Sequence, residues 1–287
     1  MPLTTTNKLL LDAQRGGYAV GAFNAENLEM VQAIVAAAEE ARSPVIIQTT
    51  PSTLKYAEPE AFAGIVRAVA GRVTVPVALH LDHGDSFALC ARCFRAGYSS
   101  IMIDGSKLPL EENIALSRGV AEMCHAADVP VEAELGEVGG KEDATVSKGD
   151  HLTNPADAGR FVRETGVDSL AVGIGTAHGI YKSAPHLDIG RLAEIREAVE
   201  IPLVLHGASG LTEKDVRDCI ARGICKVNFA TELRQAFTAA VRDFLAIDTA
   251  AFDPKKYGAK AREAVKAQVL ARMAMCGSIG KLEQCAG

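Results

Sequence analysis

No tryptophan occurs in the sequence, and aromatic residues fill only 5% of its 287 positions. No Lys/Arg cluster interleaves with aromatics, and the formal net charge is -6. A nucleic-acid surface needs a basic face, so it is not expected. No apolar run approaches the roughly 18 to 20 residues that a membrane helix requires, which argues against membrane insertion. The opening "MPLTTTNKLLLDAQRGG" lacks the basic start and long apolar core of a signal peptide, so a cytoplasmic location is expected. A cysteine framework is lacking too. The seven cysteines are odd in number, and "CARC" at 90–93 has no second C-x-x-C with which to build a structural zinc site. Packed thiols are expected, with a redox pair at Cys90 and Cys93 as the distant alternative.

What the chain does have is alternation, in a composition that is 48% hydrophobic. Short Val/Ile/Leu runs at 18–23, 45–48, 77–81, 99–103, 131–134, 169–172, 203–205 and 226–228 read as buried strands. Amphipathic stretches such as "NLEMVQAIVAAAEEA" and "SFALCARCFRAG" lie between them, several opening on Asn, Asp, Ser or Thr and closing on Gly. This pattern predicts an α/β fold, a (β/α)8 TIM barrel, with a doubly wound sheet as the alternative. "TELRQAFTAAVRDFLA" and "KAREAVKAQVLARMAMCG" add helices after the eighth strand. No linker interrupts the pattern, so a single domain over 1–287 is expected.

The polar residues gather where each run ends. In order these are Asn24, Thr49 and Thr50, Asp82 and His83, Asp104 and Ser106, Glu132 and Glu134, His178 and Gly179, His206 with Gly207 and Ser209, and Asn228 with Thr231. In a parallel barrel those ends share one face, where active sites are built, so an enzyme is expected. Taken singly, His83, His178 and His206 each read as a hydrogen-bonded core residue. Taken together, they supply the three protein ligands and open fourth position of a catalytic zinc. Asp104 and Glu134 then hold or replace those ligands, or else form salt bridges in the barrel mouth. His80 is expected to pack, and Asp85 to be a loop or helix-start acid.

"HGASG" (206–210) and "NFAT" (228–231) each follow a strand and precede a helix. Such turns bind phosphate with backbone N–H groups, or simply cap helices; Lys182 in "HGIYK" would add charge. "GEVGGKEDATVSKGDH" (136–151) reads as a structureless lid or a solvated loop, and Glu142 and Asp143 are its acid/base candidates.

The motifs "HLDHG", "MIDGS", "VEAELGEVGGKED", "GTAHGIYK", "LVLHGASG" and "KVNFATEL", in this order and spacing, make the chain resemble the class II, metal-dependent ketose-bisphosphate aldolases over essentially its whole length. The resemblance implies one catalytic Zn2+ on His83, His178 and His206, with Asp82 as acid/base and Glu142 as the loop carboxylate of proton transfer. It implies dihydroxyacetone-phosphate contacts from Gly179, Gly207, Ala208, Ser209, Asn228, Phe229, Ala230 and Thr231, with Asn24 and Thr50 near the substrate. A monovalent cation and a homodimer or homotetramer are further expectations. "GTAHG", "HGASG" and "NFATEL" look like the tagatose-bisphosphate branch, whereas Lys182 fits the fructose branch. Lys255 stands where fructose-type members often carry an Arg directed at the second phosphate. A class I Schiff base is not expected, because Lys226 is the one strand-end lysine and neighbours the phosphate turn. The competing readings are an aldolase for a deoxy-keto-acid phosphate and a non-catalytic barrel subunit.

Overall fold

The structure, a computed structural model, describes residues 3–142, 145–147, 152–179, 181 and 185–282, with backbone alone at 141, 142 and 145–147. All eight expected strands form: β1 (Val20–Asn24), β2 (Val45–Thr49), β3 (Val77–Gly84), β4 (Ser100–Ile103), β5 (Val131–Leu135), β6 (Ser169–Val172), β7 (Leu203–Leu205) and β8 (Ile224–Phe229). Each pairs in parallel with its sequence neighbours, and β1 pairs with β8 to close the ring. The fold is the (β/α)8 barrel, and the doubly wound alternative is excluded by that closure.

Local signals account for the helix ends. Asn27 and Ser86 accept from the N–H groups of Met30 and Leu89, and Thr212 forms a reciprocal capping box with Asp215. Two large apolar clusters and a small one, Met102 with Ala171 and Val204, hold the barrel among the described residues. The largest lies between sheet and helices and includes Phe23, Ile47, Leu79, Ile101, Leu170 and Phe229. The second fills the bottom of the barrel, where Leu9, Leu10 and Ala13 of helix Thr6–Gly16 plug against Val20, Ala22, Ile46 and Ala78. Helix Thr6–Gly16 is therefore a stopper. Above it the interior turns polar, which leaves the C-terminal strand ends for chemistry.

Three features add to the expected plan. The loop at 136–151 is not wholly irregular: Gly139–Glu142 pairs antiparallel with Thr145–Ser147 and parallel with Ala177–His178. Helix Pro254–Cys276 packs against both Thr231–Ile247 and Leu28–Ala41, and Ala19 N–H donates to the Cys276 carbonyl, tying that end to the barrel floor. Strand β3 runs past Leu81 through a bulge. Leu81 sits opposite Ile101 and Gly84 opposite Ile103, so one extra residue is accommodated on β3. No helix among the described residues is long and apolar enough to cross a membrane.

Candidate active site

The β3 bulge solves a geometric problem. Consecutive strand residues point to opposite faces, so Asp82 and His83 could not both enter the barrel mouth from a regular strand. His83 takes the left-handed conformation, φ 49°, and turns its ring to the same side as the Asp82 carboxylate. A non-glycine residue there costs about 1–3 kcal/mol, which the surrounding contacts must offset. Gly84 is required next to it, because an added Cβ would lie 2.4 Å from the Met102 carbonyl oxygen.

Asp82 is fully buried and caged by amides. Asn24 Nδ2 and Gln48 Nε2 each donate to its Oδ2 at 3.0 Å, and Asn228 Nδ2 donates to Oδ1 at 3.1 Å. Gln48 also donates to Asn24 Oδ1 at 2.7 Å. The carboxylate is therefore held by residues of β1, β2 and β8 together.

Beside it the three histidines converge. Their ring centroids lie 4.6 Å apart for His83 and His206, 5.1 Å for His83 and His178, and 5.9 Å for His178 and His206. Nitrogens of all three lie within 4.8 Å of one another, and His83, Asp104 and Glu134 form a second such group. The outer nitrogens are occupied: His83 Nδ1 is 2.9 Å from Asp104 Oδ2, and His206 Nε2 is 3.0 Å from Glu132 Oε1. The inner ones, His83 Nε2 and His206 Nδ1, face each other at 2.9 Å. When each outer N–H serves a carboxylate, two lone pairs meet there, an arrangement that a cation between them relieves. Burial pushes the His206 imidazole below its ordinary value despite the Glu132 hydrogen bond, so at neutral pH it is the neutral ligand form. Burial alone would raise the Asp104 carboxyl, but hydrogen bonds from His83 and Ser106 hold it well below the usual range. The donor set fits zinc, with three imidazoles and carboxylates fixing their orientation.

A cleft of about 350 Å³ opens next to this cluster. It is lined by Asn24, His178, Gly179, Gly207, Ser209, Asn228, Ala230, Thr231 and Arg234. Gly207 has φ 66°, and a Cβ there would lie 2.7 Å from the Ala177 carbonyl oxygen. Thr231 opens a helix of 17 residues, and a helix N-terminus at the cleft favours an anion there. Tyr181 bridges the two loops: its hydroxyl donates to the Gly207 carbonyl at 2.7 Å and accepts from Ala177 N–H at 2.8 Å. Tyr181→Phe leaves both groups without that partner, so a loss of about 1–3 kcal/mol in unfolding free energy is expected. Denaturant titration checks it, and unchanged stability counts against the clamp.

Other expected residues fall elsewhere. Thr50 is buried as the N-cap of helix Pro51–Tyr56 and does not line the cleft. The side chains of Ala208 and Phe229 are buried in the core, Phe229 stacked on Phe23 at 5.6 Å, so only their backbone is offered to a ligand. The side chain of Glu142, and all of Asp143 and Lys182, lie outside the described residues. Lys255 is exposed and paired with Asp253 at 3.1 Å. All described cysteines are free and buried. Burial pushes the Cys93 thiol up to about 12, which suits packing and not redox exchange. Sequence reasoning missed Gln48 and Arg234. Gln48 carries a signal, an amide at an inward position of "VIIQTT", whereas Arg234 shows none before the helix is placed.

A sequence model of the family described as fructose-bisphosphate aldolase class-II matches residues 4–281. The chain belongs to the class II fructose-bisphosphate aldolase family. Among solved structures, it is 38% identical to the YdjI aldolase of Escherichia coli K12, covering 98% of this chain and 99% of that one, with a TM-score of 0.88. It is 33% identical to a putative fructose-1,6-bisphosphate aldolase from Coccidioides immitis, with 96% of each chain covered and a TM-score of 0.89. The fructose-bisphosphate aldolase of Campylobacter jejuni, at 24% identity and a TM-score of 0.84, shares the fold over 98% of this chain and 97% of its own. Membership of this aldolase family makes the chain a carbon–carbon lyase acting on phosphorylated sugars.

Proposed function

We propose that the protein is a zinc-dependent aldolase that reversibly cleaves the C3–C4 bond of a ketose 1,6-bisphosphate, tagatose-1,6-bisphosphate ahead of fructose-1,6-bisphosphate. The products are dihydroxyacetone phosphate and glyceraldehyde 3-phosphate. The observation that carries this reading is the caged Asp82 carboxylate directly beside the converging His83, His178 and His206. A bound zinc supplies Lewis acidity toward the ketose carbonyl, which makes the electron pair left on C3 tolerable. Asp82 takes the C4 hydroxyl proton as the bond breaks and returns it in condensation. Glu142 delivers a proton to the carbon that was C3 of the ketose, which becomes the hydroxymethyl carbon of dihydroxyacetone phosphate. Gly179, Gly207, Ser209, Ala230 and Thr231 grip the phosphate of that half through N–H and hydroxyl groups around the cleft. Asn24 and Asn228 hold Asp82 and border the same cleft, so substrate and base share one amide frame.

A homodimer or homotetramer goes with this reading. Ile247 and Phe252, at the far end of helix Thr231–Ile247, are exposed apolar side chains of the kind a subunit contact covers. Phosphorylated sugars do not cross membranes unaided, so a cytoplasmic site of action follows from the substrate class.

Comparing kcat/KM for the two bisphosphates with zinc present tests the assignment. Tagatose-1,6-bisphosphate is expected to lead by about tenfold, equivalent to about 1.4 kcal/mol in the barrier. A lead for the fructose epimer reverses the substrate choice, and cleavage of neither overturns the proposal.

A further inference from the structure

We infer that Glu132, clamped by Lys226, is a positioning residue that decides which nitrogen of His206 faces the metal. The inference rests on the zinc reading above. His206 sits between two carboxylates, with Glu132 Oε1 at 3.0 Å from Nε2 and Glu134 Oε2 at 3.4 Å from Nδ1. A neutral imidazole carries a single N–H and can serve only one of them. If the proton goes to Glu134, an N–H points to where the ion must sit.

Lys226 biases that choice. Its Nζ is fully buried and donates to both Glu132 oxygens, at 2.9 Å and 3.2 Å. Its third N–H is directed at His80 Nε2, 3.4 Å away. His80 Nδ1 in turn meets Ser100 Oγ at 2.8 Å, and Ser100 Oγ accepts from the Thr6 hydroxyl at 2.8 Å. The column runs from the stopper helix at the barrel floor to the metal cluster, and it gives each group in it a single hydrogen-bonding role. Pinned at both oxygens, Glu132 cannot swing away from His206. It accepts the Nε2 proton and leaves the Nδ1 lone pair aimed at His83 Nε2. His80 is thus a member of this column as well as a packed core residue. With all three N–H groups of Lys226 engaged, the lysine acts in orientation and not as an amine nucleophile.

Truncating Glu132 alone strands the Lys226 charge in the core, so the deciding variant replaces both members with apolar groups of similar size, Glu132→Leu with Lys226→Met. Buried ion pairs exchanged in this way often leave stability unchanged or raised. Two readouts are taken, neither of which uses turnover. Long-range proton–nitrogen NMR on metal-free, 15N-histidine-labelled protein reports the His206 tautomer. Competition against a chromophoric chelator reports zinc affinity. The native chain is expected to show the Nε2–H form. The folded double variant is expected to move His206 toward Nδ1–H and to bind zinc about 10- to 100-fold more weakly. A native Nδ1–H tautomer, or a folded double variant that binds zinc within threefold of the native chain, overturns the inference. A native chain that takes up no zinc instead overturns the metal reading, a separate outcome because the tautomer is measured without metal.

Discussion

Replacing Asp82 with Asn is expected to lower bisphosphate cleavage by about 10²–10⁴-fold while zinc content stays at the native level. The substitution removes the base and keeps the shape. Asp82 Oδ2 receives two amide donors and Oδ1 a third, so the cage discriminates between a carboxylate and a carboxamide. The mutant amide satisfies most of it by turning its oxygen toward Asn24 and Gln48. Its NH2 then faces Asn228, whose Oδ1 is buried without a hydrogen-bond partner and can accept after an amide flip. Folding should therefore survive, and the loss should appear in kcat. His83 keeps its Asp104 partner, which is why the metal stays. Metal analysis beside steady-state kinetics decides the matter. Retention of most activity would move the acid/base role from Asp82, with Asp85 the next candidate.

Stripping the metal should have the larger effect. Chelation is expected to abolish cleavage, and added Zn2+ to restore it. The described residues offer no other electron sink: Lys226 is engaged with Glu132 and His80 and is not available among them for a Schiff base. The same treatment should lower the thermal midpoint, because an ion that binds only the folded chain stabilises it by mass action. Turnover at the native rate in protein verified to be metal-free would refute the mechanism.

Much of this site could be read before the fold was known, and the reason is register. Parallel strands buried on both faces appear as apolar runs, and the polar residue that ends each run marks one rim of the barrel. Asn24, Asp82, His83, His206 and Asn228 were all found that way. What stayed hidden depends on contacts between distant positions. Glu132 and Lys226 are 94 residues apart, and nothing local says that their side chains meet at one height inside the ring. Arg234 was invisible for the same reason, whereas Gln48 left a trace that went unread, an amide at an inward position of its strand. The bulge was hidden differently. Asp82 and His83 were both assigned to the mouth, although a regular strand would have separated them, and the only local trace of the extra residue is Gly84. The short strands Gly139–Glu142 and Thr145–Ser147 were hidden by glycines, which read as loop until Ala177–His178 supplies an edge.

The cage around Asp82 draws on β1, β2 and β8 as well as its own strand, so it straddles the seam where the first strand meets the last. No contiguous peptide contains it. During synthesis Asp82 acquires the last of its amide partners, Asn228, only after β8 has emerged and docked, later than His83, His178 or His206 has left the ribosome. Catalytic competence is thus a property of the completed ring. It also limits how the chain can be re-threaded: circular permutants with new ends in the floor connections between β4 and β6 preserve the seam, whereas ends placed at the mouth beside β1 or β8 would cut through the frame that holds the base.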